Sequence, residues 1–338
     1  MIGAGPAGLN AAYHGVLKGI KLHVIEAKNL SELPSRPCGE AVPKVTLDYL
    51  PKGLEKDFIL NKIKRALFYF NGEYLRELKD MPLLEGFIIN KHLFLKNLAE
   101  AAIAEGATIT WNKFVRAEEI QKVMSDFDYI VDATGIGVIA RKFLDYRNYR
   151  LIPVFQAYAK GSSIPEDTMI MWGIDRGYAW VFPRGDMYNI GAGGVYRDPK
   201  ELHKVLNEII KFFDLKLVSK IRGTAVSVGG PLKKLVSGKI RVIGEAAGMV
   251  MPTTGEGIRY ALAAGKIVFE ENFEKLFWNH YGKKLMNGKR LLNLLLKLKN
   301  KVKLTKMVDD KTYYEFFEGI FRYGKLLKIA VKYVFSRG

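Results

Sequence analysis

Three glycines at positions 3, 5 and 8, in Met1-Ile2-Gly3-Ala4-Gly5-Pro6-Ala7-Gly8-Leu9, constrain this chain more than any other stretch. The spacing G-x-G-x-x-G turns a strand sharply into a helix. It leaves backbone N–H groups at the helix N-terminus facing the turn, where they suit the pyrophosphate of a dinucleotide. Taken alone, the same three glycines also describe an ordinary turn and helix start. Leu22-His23-Val24-Ile25 reads as the next strand and ends at Glu26, 18 residues after Gly8, where a carboxylate can accept both hydroxyls of a ribose. Only Met1 and Ile2 precede Gly3, whereas a buried strand usually runs to about five residues, so either the assigned start lies a few residues late or the sheet tolerates a stub there.

Length and composition frame that loop. With 338 residues, 49% of them hydrophobic and 12% aromatic, the chain has material for one large or two intertwined domains with packed interiors. The single cysteine, Cys38, rules out an intrachain disulfide and a thiolate metal cluster, and fits a reducing cytosol. The five histidines show no H-x-x-x-H or H-E-x-x-H spacing, and no metal site is expected. No apolar run reaches the roughly 18 residues of a membrane span, and neither a secretion leader nor a spanning helix is expected.

Along the chain an α/β pattern recurs in pieces. A helix is expected from Ala7 to Lys18, closed by Gly19. Ser35 to Glu40 is a turn-rich loop. Asn71-Gly72, which supplies the two positive φ angles of a type I′ turn, lies between Ala66-Leu67-Phe68-Tyr69-Phe70 and Glu73-Tyr74-Leu75, so Arg65 to Leu78 reads as a hairpin. A helix from Lys91 to Glu105, ended by Gly106, precedes strands at Ala107–Trp111 and Tyr129–Asp132. The second of these runs into Ala133-Thr134-Gly135, at the end of a strand where open α/β sheets bind ligands. Between Ile152 and Val228 the texture changes to short β runs (153–159, 168–172, 178–182, 188–191 and 224–228) around one helix, 199–213. The α/β pattern returns at Lys239–Gly244, and a further helix is expected from Gly255 to Ala264.

The expected fold class is thus α/β. A Rossmann-like domain is discontinuous over 1–65, 87–147 and 238–275; a mainly antiparallel β substrate domain is inserted at 66–86 and 148–237; a basic helical section follows at 276–338.

Three stretches belong together. They are the opening Gly3 to Leu9, then Gly177-Tyr178-Ala179-Trp180-Val181-Phe182-Pro183-Arg184-Gly185, and finally Gly244-Glu245-Ala246-Ala247-Gly248 with Pro252 and Gly255-Glu256-Gly257-Ile258. In these, and over roughly residues 1 to 275, the chain resembles the geranylgeranyl reductase family, flavoproteins that share the fold of p-hydroxybenzoate hydroxylase. The first stretch matches the family's ADP-binding loop, the last its second flavin motif (GDAAG…P…G-x-GI), and the middle one the Y-x-W-x-F-P-x-G pattern that marks the reductases. The resemblance implies FAD and the saturation of double bonds in geranylgeranyl chains of an archaeal-type membrane lipid. It places the cofactor among Gly3, Gly5, Pro6, Ala7, Gly8, Glu26, Ala27, Arg36, Cys38, Gly39, Lys91, Val115, Ala133, Thr134, Gly135, Gly244, Glu245, Ala246, Pro252, Gly255, Gly257 and Ile258. Cys38, Tyr178, Trp180 and Phe182 form the catalytic candidates.

The residues themselves carry part of that reading. A carboxylate at Glu245 can accept a ribityl hydroxyl, and the small residues 246–248 let backbone approach a cofactor; the family usually has Asp there, one methylene shorter. The N-terminus of the helix after Gly255 suits a reduced, anionic flavin. Tyr178, Trp180 and Phe182 alternate and so face one side of a strand, either as core or as an aromatic wall for an isoprenoid chain. Cys38 reads as a thiol near the flavin or as an inert buried one; together with Tyr178 it is a candidate proton donor. Arg36 reads as a phosphate contact or a solvated loop charge, and Lys91 as a surface helix lysine where relatives place an arginine. Hydroxylases of the group usually have Asp-Gly where this chain has Thr134-Gly135. That departure leaves the electron donor open between NADPH and ferredoxin. The competing reading is an FAD/NADPH-dependent monooxygenase acting on an aromatic or polyprenyl-quinone substrate.

Charge adds a partner. The net charge is +18, and from Leu285 to Gly338 there are 13 Lys or Arg against 4 Asp or Glu, which holds half of the excess. Leu291, Leu294, Leu295, Leu298 and Val302 recur at helical spacing among Lys297, Lys299, Lys301, Lys303 and Lys306. The stretch reads as an interfacial helix on anionic headgroups or as a helix packing its leucines on the protein. Residues 297–304 also alternate with period two, as a strand would. No recognition motif points to nucleic acid. The expected location is cytoplasmic and peripheral on the inner face of the cell membrane.

Overall fold

The first strand is one residue long. Ile2 forms parallel bridges to Ile25 on one side and Asp132 on the other, with Gly3 N–H donating to Ile25 O (2.8 Å) and Ala133 N–H to Ile2 O (2.9 Å). It thereby joins β1 (His23–Ile25) and β7 (Thr108–Thr110) to β8 (Ile130–Asp132), β16 (Ile240–Val242) and β15 (Val236–Ser237). All of these pairings are parallel except that of β15. Both of its neighbours lie inside the sheet and hold its peptide groups from either side. The computed structural model describes all residues except 35, 80, 82, 83, 162, 197, 322, 323, 326, 327 and 330–338.

Helix α1 (Pro6–Val16) leaves the stub with proline in its first turn, one residue earlier than expected, and Gly19 (φ +77°) takes the chain out of it. It packs against α5 (Ile258–Ile267) so closely that a Cβ on Gly265 would lie 2.8 Å from Ala7 O. The start of α5 corrects the expectation of a helix from Gly255: Gly255 has φ +71° and the helix begins only after Gly257. Helix α2 (Lys91–Ala104) is capped by the Asn90 side chain and buries Phe94, Leu95 and Leu98. Helix α3 (Ala117–Val123) lies between β7 and β8 in sequence.

A three-stranded antiparallel sheet, ordered β2 (Ala41–Pro43), β6 (Gly86–Ile89), β3 (Ile59–Ile63), was not legible in the sequence. The large sheet has eight strands. Its order is β13 (Leu215–Leu217), β9 (Leu151–Gly161), β12 (Met187–Gly194), β11 (Gly177–Arg184), β10 (Thr168–Ile174), β4 (Arg65–Phe70) and β5 (Glu73–Lys79), with β14 (Arg222–Ser227) also on β9. The hairpin β4–β5 turns at Asn71 (φ +47°) and Gly72 (φ +89°) as the dipeptide predicts, and β4 runs parallel to β10. One face of this sheet is covered by α4 (Lys200–Phe212) through Leu202, Leu206 and Ile209.

After α6 (Phe273–Phe277) come α7 (Lys283–Leu295), α8 (Lys301–Met307) and α9 (Asp310–Glu318). The leucine stretch is therefore neither a continuous interfacial helix nor a strand. Helix α7 ends before Leu298, and the Asn300 side chain starts α8 by accepting Lys303 N–H at 2.9 Å. Leu291, with partly buried Leu294 and Leu295, packs on Val308, Phe316 and Phe321. Two of the lysines are taken by acids of the large sheet, Lys301 by Asp175 and Lys306 by Glu73, each at 2.7 Å. Ser35 and residues 330–338, which were read as part of the turn-rich loop and of the basic section, lie outside the described residues.

Candidate active site

A cleft of about 520 Å³ runs from the carboxyl ends of the parallel strands to the uncovered face of the large sheet. That is where an open α/β sheet takes a ligand, because the strand ends and helix N-termini converge there. Its floor is the glycine loop, and the three glycines divide their work. A Cβ on Gly3 (φ +102°) would lie 2.5 Å from Ala133 O, and one on Gly8 would lie 1.9 Å from Gly3 O. These two close the turn. A Cβ on Gly5 would meet nothing within 4 Å, and Gly5, Pro6 and Ala7 line the cleft.

Three strand ends supply carboxylates. Glu26, after β1, accepts Ala4 N–H at 2.7 Å and Lys28 N–H at 3.0 Å, which holds the glycine loop beside it. Asp132, at the end of β8, was not singled out from the sequence. It is 1% exposed and accepts Thr134 N–H (3.0 Å), Thr134 Oγ1–H (2.7 Å) and Ala140 N–H (2.9 Å), which shapes the Ala133-Thr134-Gly135 turn. Burial pushes its carboxyl above the ordinary range, against the pull of these hydrogen bonds. Glu245, after β16, accepts Ser227 N–H at 2.9 Å and forms an ion pair with Arg36 at 2.8 Å. Arg36 also donates to Thr224 Oγ1 (3.1 Å) and to Ala225 O. Arg36 is therefore not a solvated loop charge: it stands in the cleft wall and fixes Glu245.

The opposite wall is the aromatic strand. Tyr178, Trp180 and Phe182 all line the cleft, with successive ring centroids 6.0 and 6.1 Å apart. Tyr178 Oη–H donates to Thr254 O, and burial pushes its phenol above the usual value. Trp180 Nε1–H donates to Asn189 Oδ1 (3.0 Å), while Asn189 Nδ2 donates to Cys38 O (2.7 Å) and to Glu40 Oε2 (3.1 Å). Glu40, 3% exposed and in the left-handed region (φ +60°), pairs with Arg184 at 2.6 Å and accepts Lys91 N–H at 3.2 Å. This network ties the Cys38 loop, the aromatic strand and the start of α2 into one unit. Sequence reasoning missed Glu40 and Asn189, because nothing in their neighbourhood signals a partner so distant along the chain. Arg184, inside the Y-x-W-x-F-P-x-G stretch, was a usable signal.

Cys38, Gly39, Lys91, Pro252, Gly255, Gly257 and Ile258 also line the cleft, together with Gly135 and Gly244. Gly8, Ala27, Val115 and Ala246 stand outside its wall. Ala27 is exposed, Val115 belongs to the connection before α3, and Ala246 is fully buried behind the turn. The far end is apolar, with Phe68, Leu78, Met171, Leu292 and Phe317. Below it Arg259 lies between Glu256 (2.6 Å) and Glu318 (2.8 Å), which joins α5 to α9. Burial, opposed by Arg259 and reinforced by Glu318, pushes the Glu256 carboxyl up to about 7.

No protein-family profile matches the chain. It is 26% identical to digeranylgeranylglycerophospholipid reductase of Methanocaldococcus jannaschii over 92% of this chain and 87% of that protein. Among solved structures, a geranylgeranyl bacteriochlorophyll reductase-like protein of Thermoplasma acidophilum superposes with a TM-score of 0.79 at 20% identity, covering 98% of each chain. Over most of its length the chain is similar to digeranylgeranylglycerophospholipid reductases, and over nearly all of it to the fold of a geranylgeranyl bacteriochlorophyll reductase-like protein. Its fold is also that of a probable FAD-dependent monooxygenase of Pseudomonas aeruginosa (TM-score 0.66, 14% identity, 88% of this chain and 95% of that one). The cleft leaves room for a dinucleotide at the glycine loop. Glycines without room for a side chain hold the turn, open space lies beside Gly5 at the N-terminus of α1, and at the entry to α5 Gly255 faces Tyr178 Oη while a Cβ on Gly257 would lie 3.2 Å from Val250 Cγ2.

Proposed function

We propose that this protein is an FAD-dependent reductase that saturates double bonds of geranylgeranyl chains, those of an archaeal glycerophospholipid. The observation that carries the reading is the pairing of two walls in one cleft, glycine loops at strand ends on one side and Tyr178, Trp180 and Phe182 on the other. Gly3, Gly5, Pro6, Ala7 and Glu26 would hold the adenosine and pyrophosphate half of FAD. Thr134, Glu245, Pro252 and the N-terminus of α5 would hold the flavin half. When bound and reduced, FAD would supply the hydride for an alkene carbon.

The rest falls to the chain's own residues. An isolated alkene is a poor hydride acceptor, so holding it close and dry matters more than a strong acid. The aromatic strand and the apolar far end supply that environment. Cys38 and Tyr178 are the candidate proton donors. The Tyr178 hydroxyl already donates to Thr254 O and burial holds its proton tightly, which favours Cys38. We assign the parallel-sheet part to the cofactor and the eight-stranded sheet to the substrate. The donor is a reduced carrier, NADPH or ferredoxin. Among the described residues no helix is long and apolar enough to cross a membrane. An approach to anionic lipid from the cytoplasmic side would rest on exposed lysines such as Lys297 and Lys299 rather than on the leucines, which are packed.

Anaerobic turnover by dithionite-reduced protein with a geranylgeranyl glycerophospholipid, followed by mass spectrometry, tests the reading. Gain of two hydrogens per saturated bond without oxygen is expected. Strict dependence on oxygen would overturn it in favour of the monooxygenase.

A further inference from the structure

Helix α7 has two working faces. Leu285, Gly288 and Leu291 are buried, and Gly288 meets the loop after the second flavin motif so tightly that a Cβ there would lie 2.5 Å from Met251 Sδ. The opposite face borders a second cavity of about 460 Å³, separate from the cleft. Lys283, Met286 and Arg290 recur at i, i+3 and i+7, and Lys289 joins them. The facing wall is Gly230 to Lys233, with Trp278 at one end.

The charges around this cavity are unbalanced. Lys233, Lys283, Lys289 and Arg290 take part in none of the ion pairs among the described residues. The one acid in the lining, Asp145, is held by Arg147 at 2.7 Å and also feels Lys233, so it offsets only part of their charge. Lys289 lies along Gly230, its Cδ 3.4 Å from where a Cβ would stand, and burial and the nearby Lys233 both pull its ammonium below the usual value. Lys233, Lys283 and Arg290 stand exposed around the half-buried Lys289, and the repulsion between Lys289 and Lys233 is relieved when an anion sits between them. The Trp278 ring and Met286 offer an apolar surface beside that charge. The volume lies in the range of small-ligand pockets, about 300 to 1,000 Å³.

We propose that this cavity is a binding site for an organic phosphate, a monoester or diester whose phosphate sits among Lys233, Lys289 and Arg290 and whose carbon part rests on Trp278 and Met286. A phospholipid headgroup and a free phosphorylated metabolite present the same chemistry. The site stands independently of the function proposed for the cleft.

Calorimetric titration of the full chain with inorganic phosphate and with glycerol 3-phosphate, and co-sedimentation with phosphatidylglycerol and phosphatidylcholine vesicles, test it. The comparison is between Lys233→Gln/Lys289→Gln and a remote variant with the same loss of charge, Lys96→Gln/Lys204→Gln. Saturable one-to-one binding of glycerol 3-phosphate, weakened at least tenfold only in the pocket variant, supports the site with a free ligand. Binding of phosphatidylglycerol vesicles alone, lost only in the pocket variant, supports it with a headgroup. Equal losses in the two variants, or no saturable binding of any probe, would overturn it. Should the double variant unfold, Arg290→Gln, on an exposed residue of the same rim, is held to the same criteria.

Discussion

Glu40 and Arg184 meet at 2.6 Å beneath the loop that carries Cys38, although 144 residues separate them in the chain. Their side chains are 4% and 15% exposed, and the Arg184 guanidinium also lies 4.6 Å over the Tyr158 ring. Removing one partner leaves the other charged and buried, which in such pairs costs about 3 to 5 kcal/mol. Arg184→Ala is expected to destabilise the protein by that amount in urea unfolding. Glu40→Gln/Arg184→Met, which removes both charges, is expected to cost less than the single change. A single variant within about 1 kcal/mol of the wild type would show that the pair does not hold the loop.

The glycine loop allows folding and cofactor binding to be separated. Gly8→Ala would drive a Cβ to 1.9 Å from the Gly3 carbonyl oxygen and should yield little folded protein. Gly5→Ala meets no protein atom within 4 Å, and Gly5 has φ −79°, which alanine adopts without strain. Its added methyl nevertheless projects where the pyrophosphate would lie. The expected result is a protein whose apo melting temperature is within about 1 °C of wild type and which loses bound FAD on gel filtration. Full retention of FAD would remove the loop from the cofactor site.

What the sequence disclosed and what it withheld follow from the range of each signal. Asn71-Gly72 specifies its own turn and the alternation around it specifies the strands, so the hairpin was readable from about ten residues. The glycine loop was equally local. The three-stranded sheet at 41–43, 59–63 and 86–89 is built from short strands bearing no alternation strong enough to stand out, and its pairing is decided by the fold around it. The partners of the site residues were hidden for the same reason. Arg36 and Glu245 were each singled out, but that they bond to each other across 209 positions depends on where β14 and β16 end. Likewise the leucine stripe was continuously helical only as far as Leu295, where α7 ends, and it did not disclose what covers it; Phe316 and Phe321 arrive from a later segment.

The aromatic wall makes a prediction about substrate rather than cofactor. Gly191, opposite Trp180 in the ladder, leaves room for the indole, and a Cβ there would lie 2.1 Å from Trp180 Cζ2. Gly191→Ala, whose Cβ would also lie 2.4 Å from Phe155 O, should shift the β12–β9 ladder at some cost in stability, push the ring from Asn189 toward the cleft and narrow the space for a chain. The expected effect is a rise in KM for the geranylgeranyl lipid of about tenfold with FAD content unchanged, because the glycine loops lie on the other wall. Parallel loss of FAD and activity would mean that the change had disturbed the fold as a whole.

Glu256 makes stability depend on pH in a direction opposite to most paired carboxylates. Burial raises its native value from the ordinary 4.5 to about 7, so the folded state binds its proton more tightly than the unfolded state does. The contribution of this group to stability is therefore present in full below pH 4.5. It falls as the pH rises through the window from 4.5 to 7 and changes no further above it. Glu256→Gln removes the titration while leaving Arg259 its second partner, Glu318, at 2.8 Å. Other titrating groups, Asp132 among them, contribute alike to both proteins and cancel in the difference. The melting temperature of wild type minus that of the variant should decline steadily from pH 4.5 to 7 and stay level from pH 7.5 to 9. A difference that rises over the lower window would mean that Arg259 outweighs burial and that the Glu256 carboxylate is charged throughout the working range of the protein.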